Sequence, residues 1–218
     1  MVEHVAAART LVLRLWLPDR PGALGLVASR IGAVRGDVLA IDILERGGGQ
    51  VVDELVVSLP SGTPQELLVT EVGAVDGVAV ESVREAPVGR PDPALALFEL
   101  GAQVAEACTG GHTDPIEVLG TGIVSALDAD WVVVVGGEGE RFCHGEPPDP
   151  RWLAAFLDGS EHLQPGDTQG PTDVLWARLP RASVFIAAGR ASRAAHQRER
   201  IRLQILARTI DQLLPASG

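Results

Sequence analysis

Residues 10–17, Thr-Leu-Val-Leu-Arg-Leu-Trp-Leu, place Leu11, Leu13, Leu15 and Leu17 at every second position, with Val12, Arg14 and Trp16 between them. Side chains alternate across a strand, so this pattern predicts a strand with one leucine face buried. Within four residues, Asp19-Arg20-Pro21-Gly22, the period changes to a helical one. Leu24, Val27, Ala28, Ile31 and Val34 then form a single apolar stripe. Pro21 suits the first turn of a helix, where a missing N–H does no harm. Gly36 stands where a left-handed helix cap is expected. A strand running straight into a short helix, with a new strand from Asp37, confines the fold to a small α+β unit.

The pattern continues. Residues 37–45 and 50–59 read as two strands joined by Gly47-Gly48-Gly49, a hairpin signal. Thr63-Pro64-Gln65-Glu66 reads as a capping box opening a second helix, whose buried side is Leu68, Val72 and Val75. Residues 77–84 complete the set as a fourth strand. The order βαββαβ predicts a ferredoxin-like sandwich, with both helices on one face of an antiparallel sheet. Trp16 on the opposite face calls for a cover there, from a second domain or a second subunit.

A proline-rich hinge, residues 87–93, follows this first domain of residues 8–86. Beyond it, residues 94–214 predict a second α+β domain. Ala94, Leu97, Phe98, Gly101, Val104, Ala105 and Cys108 trace one helical face. Asp114-Pro115 starts another helix, with the stripe Ile116, Leu119, Ile123, Val124 and Leu127. Strands are expected at 131–135, 141–144, 173–179 and 183–189, with a short helix from Asp149-Pro150. A long helix closes the chain from about Arg193 to Leu214, burying Leu203, Leu206, Ala207, Ile210 and Leu213.

Composition narrows the function. A net charge of −11 argues against general nucleic-acid binding, which relies on a basic surface. Residues 178–218 nevertheless hold eight Arg against two acids, Glu199 and Asp211. That segment reads either as a site for an anionic partner or as a solvated arginine face beside an acidic neighbour. No apolar run approaches the roughly 20 residues that cross a bilayer. Glu3 and Arg14 argue against a secretory leader, and Cys108 and Cys143 form no disulfide framework. A cytoplasmic location is expected. All 18 basic residues are Arg, and Lys, Asn and Tyr are absent, which points to a GC-rich bacterial genome.

Two resemblances follow from particular residues. The strand ending in Asp19-Arg20-Pro21-Gly22-Ala23-Leu24, the Val27/Ile31 helix, and Gly36-Asp37-Val38 before Ile41-Asp42-Ile43 together resemble an ACT domain, over about residues 10–85. That family is a βαββαβ regulatory module that binds amino acids. It commonly has Asn-Ile where this chain has Asp37-Val38. The closing segment, a strand, then Gly189-Arg190, then a helix with Leu203 and Leu206-Ala207, is similar to a GAF-like domain, over about residues 94–214. His196 stands where an aromatic is usual, and the middle is shorter than in that family.

The ACT resemblance implies a ligand pocket formed by Asp19, Arg20, Pro21, Gly22, Ala23, Leu24, Asp37 and Val38, often lying between two modules and hence a homodimer. The chemistry suits a zwitterion. A helix start offers unpaired N–H groups and the positive dipole end to a carboxylate, and Gly22 and Ala23 leave the backbone approachable. Asp19 and Asp37 are expected on adjacent ends, where they accept an ammonium. The residues alone leave another reading open, in which Asp19 caps the helix and Asp37 faces solvent.

Catalysis finds no support. Phe142-Cys143-His144-Gly145-Glu146 puts a thiol beside an imidazole, but neighbours on a strand face opposite ways. Gly120-Thr121-Gly122 and Gly136-Gly137-Glu138-Gly139 lack the lysine of a phosphate loop. His4, His112, His144, His162 and His196 show no metal spacing, and no cofactor is called for. The expectation is a non-enzymatic regulatory protein, most simply a homodimer, that binds an amino acid or similar metabolite and no nucleic acid or membrane. Two other classes stay open. One is an enzyme with its site in the C-terminal domain and an allosteric ACT part, and the other is a ligand-independent dimerisation module.

Overall fold

The computed structural model describes residues 8–86, 92–137, 139–160 and 173–216. Pro87–Pro91 of the hinge, Glu3, His4, Glu138 and His162 lie outside the described residues. The chain divides into two units, residues 1–90 and 91–218, each built on an antiparallel four-stranded sheet in an α+β arrangement.

The first unit runs β1 (Ala8–Pro18), α1 (Ala23–Ala33), β2 (Asp37–Gly47), β3 (Gln50–Pro60), α2 (Gln65–Gly73) and β4 (Ala79–Glu85), with strand order β2-β3-β1-β4. Leu11, Leu13, Leu15 and Leu17 are buried as their spacing requires. They form one core with Val27 and Ile31 of α1 and Leu68 and Val72 of α2, so both helices lie on the same sheet face.

Four local expectations are corrected. α1 begins at Ala23, not Pro21, because Gly22 precedes it in the left-handed region at φ 88°. Ala28 is exposed and takes no part in the buried stripe. At the other end Arg35, not Gly36, adopts the left-handed conformation, at φ 61°. Gly36 is required for space instead. A Cβ there would sit 2.8 Å from Ile31 Cγ2 and 3.1 Å from the Ile31 carbonyl oxygen, to which the Gly36 N–H donates at 3.0 Å. The capping box at Thr63–Glu66 does not form either: the N-cap of α2 is Pro64, with no side-chain hydrogen bond.

The second unit runs α3 (Pro93–Gly110), α4 (Pro115–Leu127), β5 (Trp131–Gly136), β6 (Gly139–His144), α5 (Pro150–Gly159), β7 (Val174–Leu179), β8 (Val184–Gly189) and α6 (Gln197–Leu213), in sheet order β6-β5-β8-β7. Val132, Val134, Leu175, Ile186 and Ala188 face a core shared with α3, α4 and α6. The alternate residues Trp131, Val133, Val174 and Ala187 face Leu153 and Leu157 of α5. Three helices open on Asp-Pro, and Asp92, Asp114 and Asp149 each accept backbone N–H groups of the first turn. Asp92 and Pro93, read as hinge, therefore begin α3. Its buried side is Leu97, Leu100 and Val104, while Phe98 is 77% exposed.

α6 starts at Gln197 rather than Arg193, because His196 is its cap in a reciprocal box with Glu199. Leu214, not Leu213, closes that core. Among the described residues no helix is long and apolar enough to cross a membrane. Gly36→Ala should destabilise the first unit by about 1–3 kcal/mol through forced displacement of Ile31, read as a lower denaturation midpoint with unchanged secondary structure by circular dichroism.

Candidate functional site

The junction between β1 and α1 is strapped to the neighbouring hairpin. The Asp19 N–H donates to the Gly49 carbonyl at 2.9 Å, and the Arg20 N–H to the Pro18 carbonyl at 2.8 Å. α1 has no side-chain cap and no acidic residue in its first turn. Asp19 does not cap it. Its Oδ1 instead accepts from Arg46 Nη1, at the end of β2, at 3.1 Å. Arg20 reaches Asp76 at 3.8 Å with both groups exposed, an interaction worth little. Pro21 and Gly22 are exposed, Ala23 is buried and Leu24 half-buried, so the helix start lies open on the Gly22 side.

Strand register places the remaining predicted residues elsewhere. β3 pairs antiparallel with both β1 and β2, so β1 and β2 run in the same direction. Pro18 and Gly47 both stand opposite Gln50, whereas Asp37 stands opposite Ser58. Eight residues of β3 at about 3.3 Å each separate the two levels, or about 26 Å. Asp19 and Asp37 are thus at opposite ends of the sheet, and within one chain they share no ligand. Asp37 is exposed, and Val38 packs against the core.

What does gather at the Asp19 end is a group that the sequence reading passed over. Asp53 on β3 lies opposite Leu15 and Ile43, hence on the helix side of the sheet. It is 3% exposed, and its Oδ1 has no hydrogen-bond donor among the described residues. Burial pushes the Asp53 carboxyl up, the Arg46 guanidinium opposes that, and the Asp19 and Asp42 carboxylates add to it. The next residue, Glu54, faces the other way and is matched. Its Oε2 accepts from Arg14 Nε at 2.7 Å, with Arg84 at 3.8 Å. The signal was in the sequence: two acids in the strand Val-Val-Asp-Glu-Leu-Val-Val put one carboxylate on each face, the core face included.

In the second unit, Cys143 and His144 stand opposite Val133 and Val132 on adjacent rungs, both exposed. The Cys143 thiol is pushed up by burial and by Glu140, and the Cys108 thiol by burial, so neither is an activated thiolate. An open groove of about 640 Å³ borders Cys108, His112, Asp114 and Leu213. Asp114 there is committed to the Ile116 N–H and to Arg141. No group of three His, Cys, Asp or Glu side chains among the described residues is arranged to hold a metal ion.

The C-terminal arginines are largely engaged internally. Arg190 is buried, with its Nε donating to the Leu127 carbonyl and its Nη2 to Glu199 at 2.8 Å. Arg193 pairs with Asp128 at 3.0 Å, and Arg200 lies over the Trp176 ring.

No protein-family model matches the chain, and no curated protein does. Solved structures similar to it include ACT domains. The ACT domain of GTP pyrophosphokinase from Chlorobium tepidum is 15% identical, matching 37% of this chain and all of that one, with a TM-score of 0.30. A formyltetrahydrofolate deformylase from Pseudomonas putida is 18% identical over 46% of this chain and 38% of its own length, with a TM-score of 0.30. A putative glycine cleavage system transcriptional repressor is 10% identical over 84% of this chain and 78% of that one, with a TM-score of 0.28. Likenesses of this depth carry no functional argument.

Because the Asp53 carboxyl is held above its ordinary range, its ionisation opposes folding once pH passes the unfolded value and does so fully above the folded one. Asp53→Asn should therefore raise stability at pH 7 by on the order of 1 kcal/mol. Below the ordinary carboxylate range the advantage should vanish, as urea titrations at the two pH values will show.

Proposed function

We propose that the N-terminal unit is an ACT-type regulatory module that binds an amino acid or a similar small metabolite, and that the protein is not an enzyme. The supporting observation is the α1 start. It has no side-chain cap, Gly22 leaves it open, and the one nearby acid able to cap it is drawn off by Arg46. A ligand carboxylate at such a helix end meets the positive end of the dipole and the first-turn N–H groups after Ala23, whose own N–H donates to the Arg20 carbonyl at 3.3 Å.

If one ligand uses both Asp19 and Asp37, two copies must supply them, since about 26 Å, at about 3.3 Å per residue, separates the two in one chain. β2 is an edge strand carrying Leu39 and Ile41, which are 56% and 47% exposed. Antiparallel pairing of two β2 edges about a two-fold between Ile41 and Asp42 sets Asp37 of one copy opposite Arg46 of the other. That brings the second acid to the Asp19 end. The unit is then a ferredoxin-like sandwich used as half of a shared site. The second unit, with its strand–Gly189-Arg190–helix ending, fits a GAF-like sensor domain, in which Arg190 ties the end of α4 to the start of α6. Ligand binding across the β2 edges selects one dimer geometry, and the second unit reports it.

The test is a calorimetric thermal-shift series against the common amino acids. A ligand at about 100 times its dissociation constant stabilises the native state by roughly 2.7 kcal/mol. For a chain this long that is a melting shift of roughly 5–10 °C. Asp19→Ala with Asp37→Ala should abolish the shift and leave the fold intact, and Leu39→Glu with Ile41→Glu should yield monomers by sedimentation. A dimer indifferent to every amino acid would mark a pure dimerisation module. Catalysis lost on Cys143→Ala or His144→Ala, with Asp19→Ala active, would mark an enzyme.

A further inference from the structure

The first unit buries two carboxylates one residue apart, and treats them differently. Glu54 has Arg14 against it at 2.7 Å, with Arg84 near. Asp53, as deeply buried, has an Oδ1 that accepts from no donor among the described residues. Leaving a buried charged oxygen unmatched costs more than a typical hydrogen bond returns, so such an atom calls for a partner. The groups near enough to act on its charge are Arg46, Asp19 and Asp42. On its own face of the sheet Asp53 has the Arg46 guanidinium nearby, and that guanidinium already donates to Asp19, while Asp42, opposite Glu54, lies on the other face.

The position therefore favours an added positive charge. A metal ion is a poor candidate, since no three acidic, His or Cys side chains among the described residues converge to hold one. A primary ammonium, with three N–H donors on one compact charge, needs only two or three acceptors.

We propose that Asp53 is the anchor for the ammonium group of the small molecule taken up by the first unit, with Asp19 as its second acceptor. The assignment rests on the ligand-binding reading above and sharpens it to amine-bearing metabolites, excluding 2-oxo and 2-hydroxy acids. Arg46 is the moving part. In the single chain its side chain is 57% exposed and, among the described residues, is held by one surface ion pair, so an incoming ammonium displaces it from Asp19 at little cost. The freed guanidinium is then available to the ligand's other end.

The experiment uses the full chain, in wild-type and Asp53→Asn forms, with three probe sets at neutral pH: amino acids, amino-acid amides that keep the ammonium but lack the carboxylate, and 2-hydroxy acids that lack the ammonium. Calorimetric thermal shifts and titration calorimetry give the readout. Amino acids and their amides should bind the wild type and lose at least tenfold in affinity with Asp53→Asn, while that variant stays folded. Full amine binding by Asp53→Asn, or no amine binding by the wild type, overturns the assignment. If 2-hydroxy acids bind both forms equally and amines bind neither, the carboxylate seat at α1 survives and the ammonium anchor does not. If amides bind through Asp53 while removal of the carboxylate changes nothing, the anchor stands and the α1 seat falls.

Discussion

Strand β3 lies between β1 and β2 and pairs antiparallel with each, and the geometry of the site depends on that. It makes β1 and β2 run the same way, so the start of α1, the end of β2 and the turn between β2 and β3 share one end of the sheet. It sends the beginning of β2 to the other end. Any ligand that needs both acids needs two chains. The fold itself, not an accident of side chains, keeps Asp19 and Asp37 of one chain apart.

The same strand supplies the electrostatic asymmetry. Alternation places Glu54 on one face and Asp53 on the other, and only Glu54 meets an arginine inside the structure. Removing one partner of a buried ion pair leaves an uncompensated charge, which is strongly unfavourable. Asp53 is in that condition from the outset. The surroundings relieve it only in part, because Asp19 and Asp42 carry the same sign and Arg46, which opposes them, is shared with Asp19.

Much of this was legible in the sequence. The leucine alternation, the Asp-Pro helix starts at Asp114 and Asp149 and the apolar β5 strand each correspond to an element, because each depends on local chemistry that tertiary context did not override. The failures have physical reasons. Thr63 and Glu66 have the right spacing for a box, yet Pro64 takes the cap. Phe98 satisfied the helical period but lies one position off the face that α3 buries, a choice made by its neighbours. The pairing of Asp19 with Asp37 needed strand direction, which spacing does not contain. Asp53 was visible as an acid in an apolar strand, and only its burial on the helix side shows its significance.

The aromatic residues are unevenly divided. The first unit holds a single tryptophan, Trp16, 37% exposed, while Trp131, Trp152 and Trp176 all belong to the second, and the chain has no tyrosine. Ultraviolet emission is therefore dominated by the C-terminal half, where Trp131 is 8% exposed and Phe156 lies between Trp152 and Trp176. Melting of the N-terminal unit would pass almost silently in that signal, since its lone indole already meets water. Intrinsic fluorescence thus watches one half of the molecule and heat capacity watches both, so the difference between the two traces isolates the N-terminal unit.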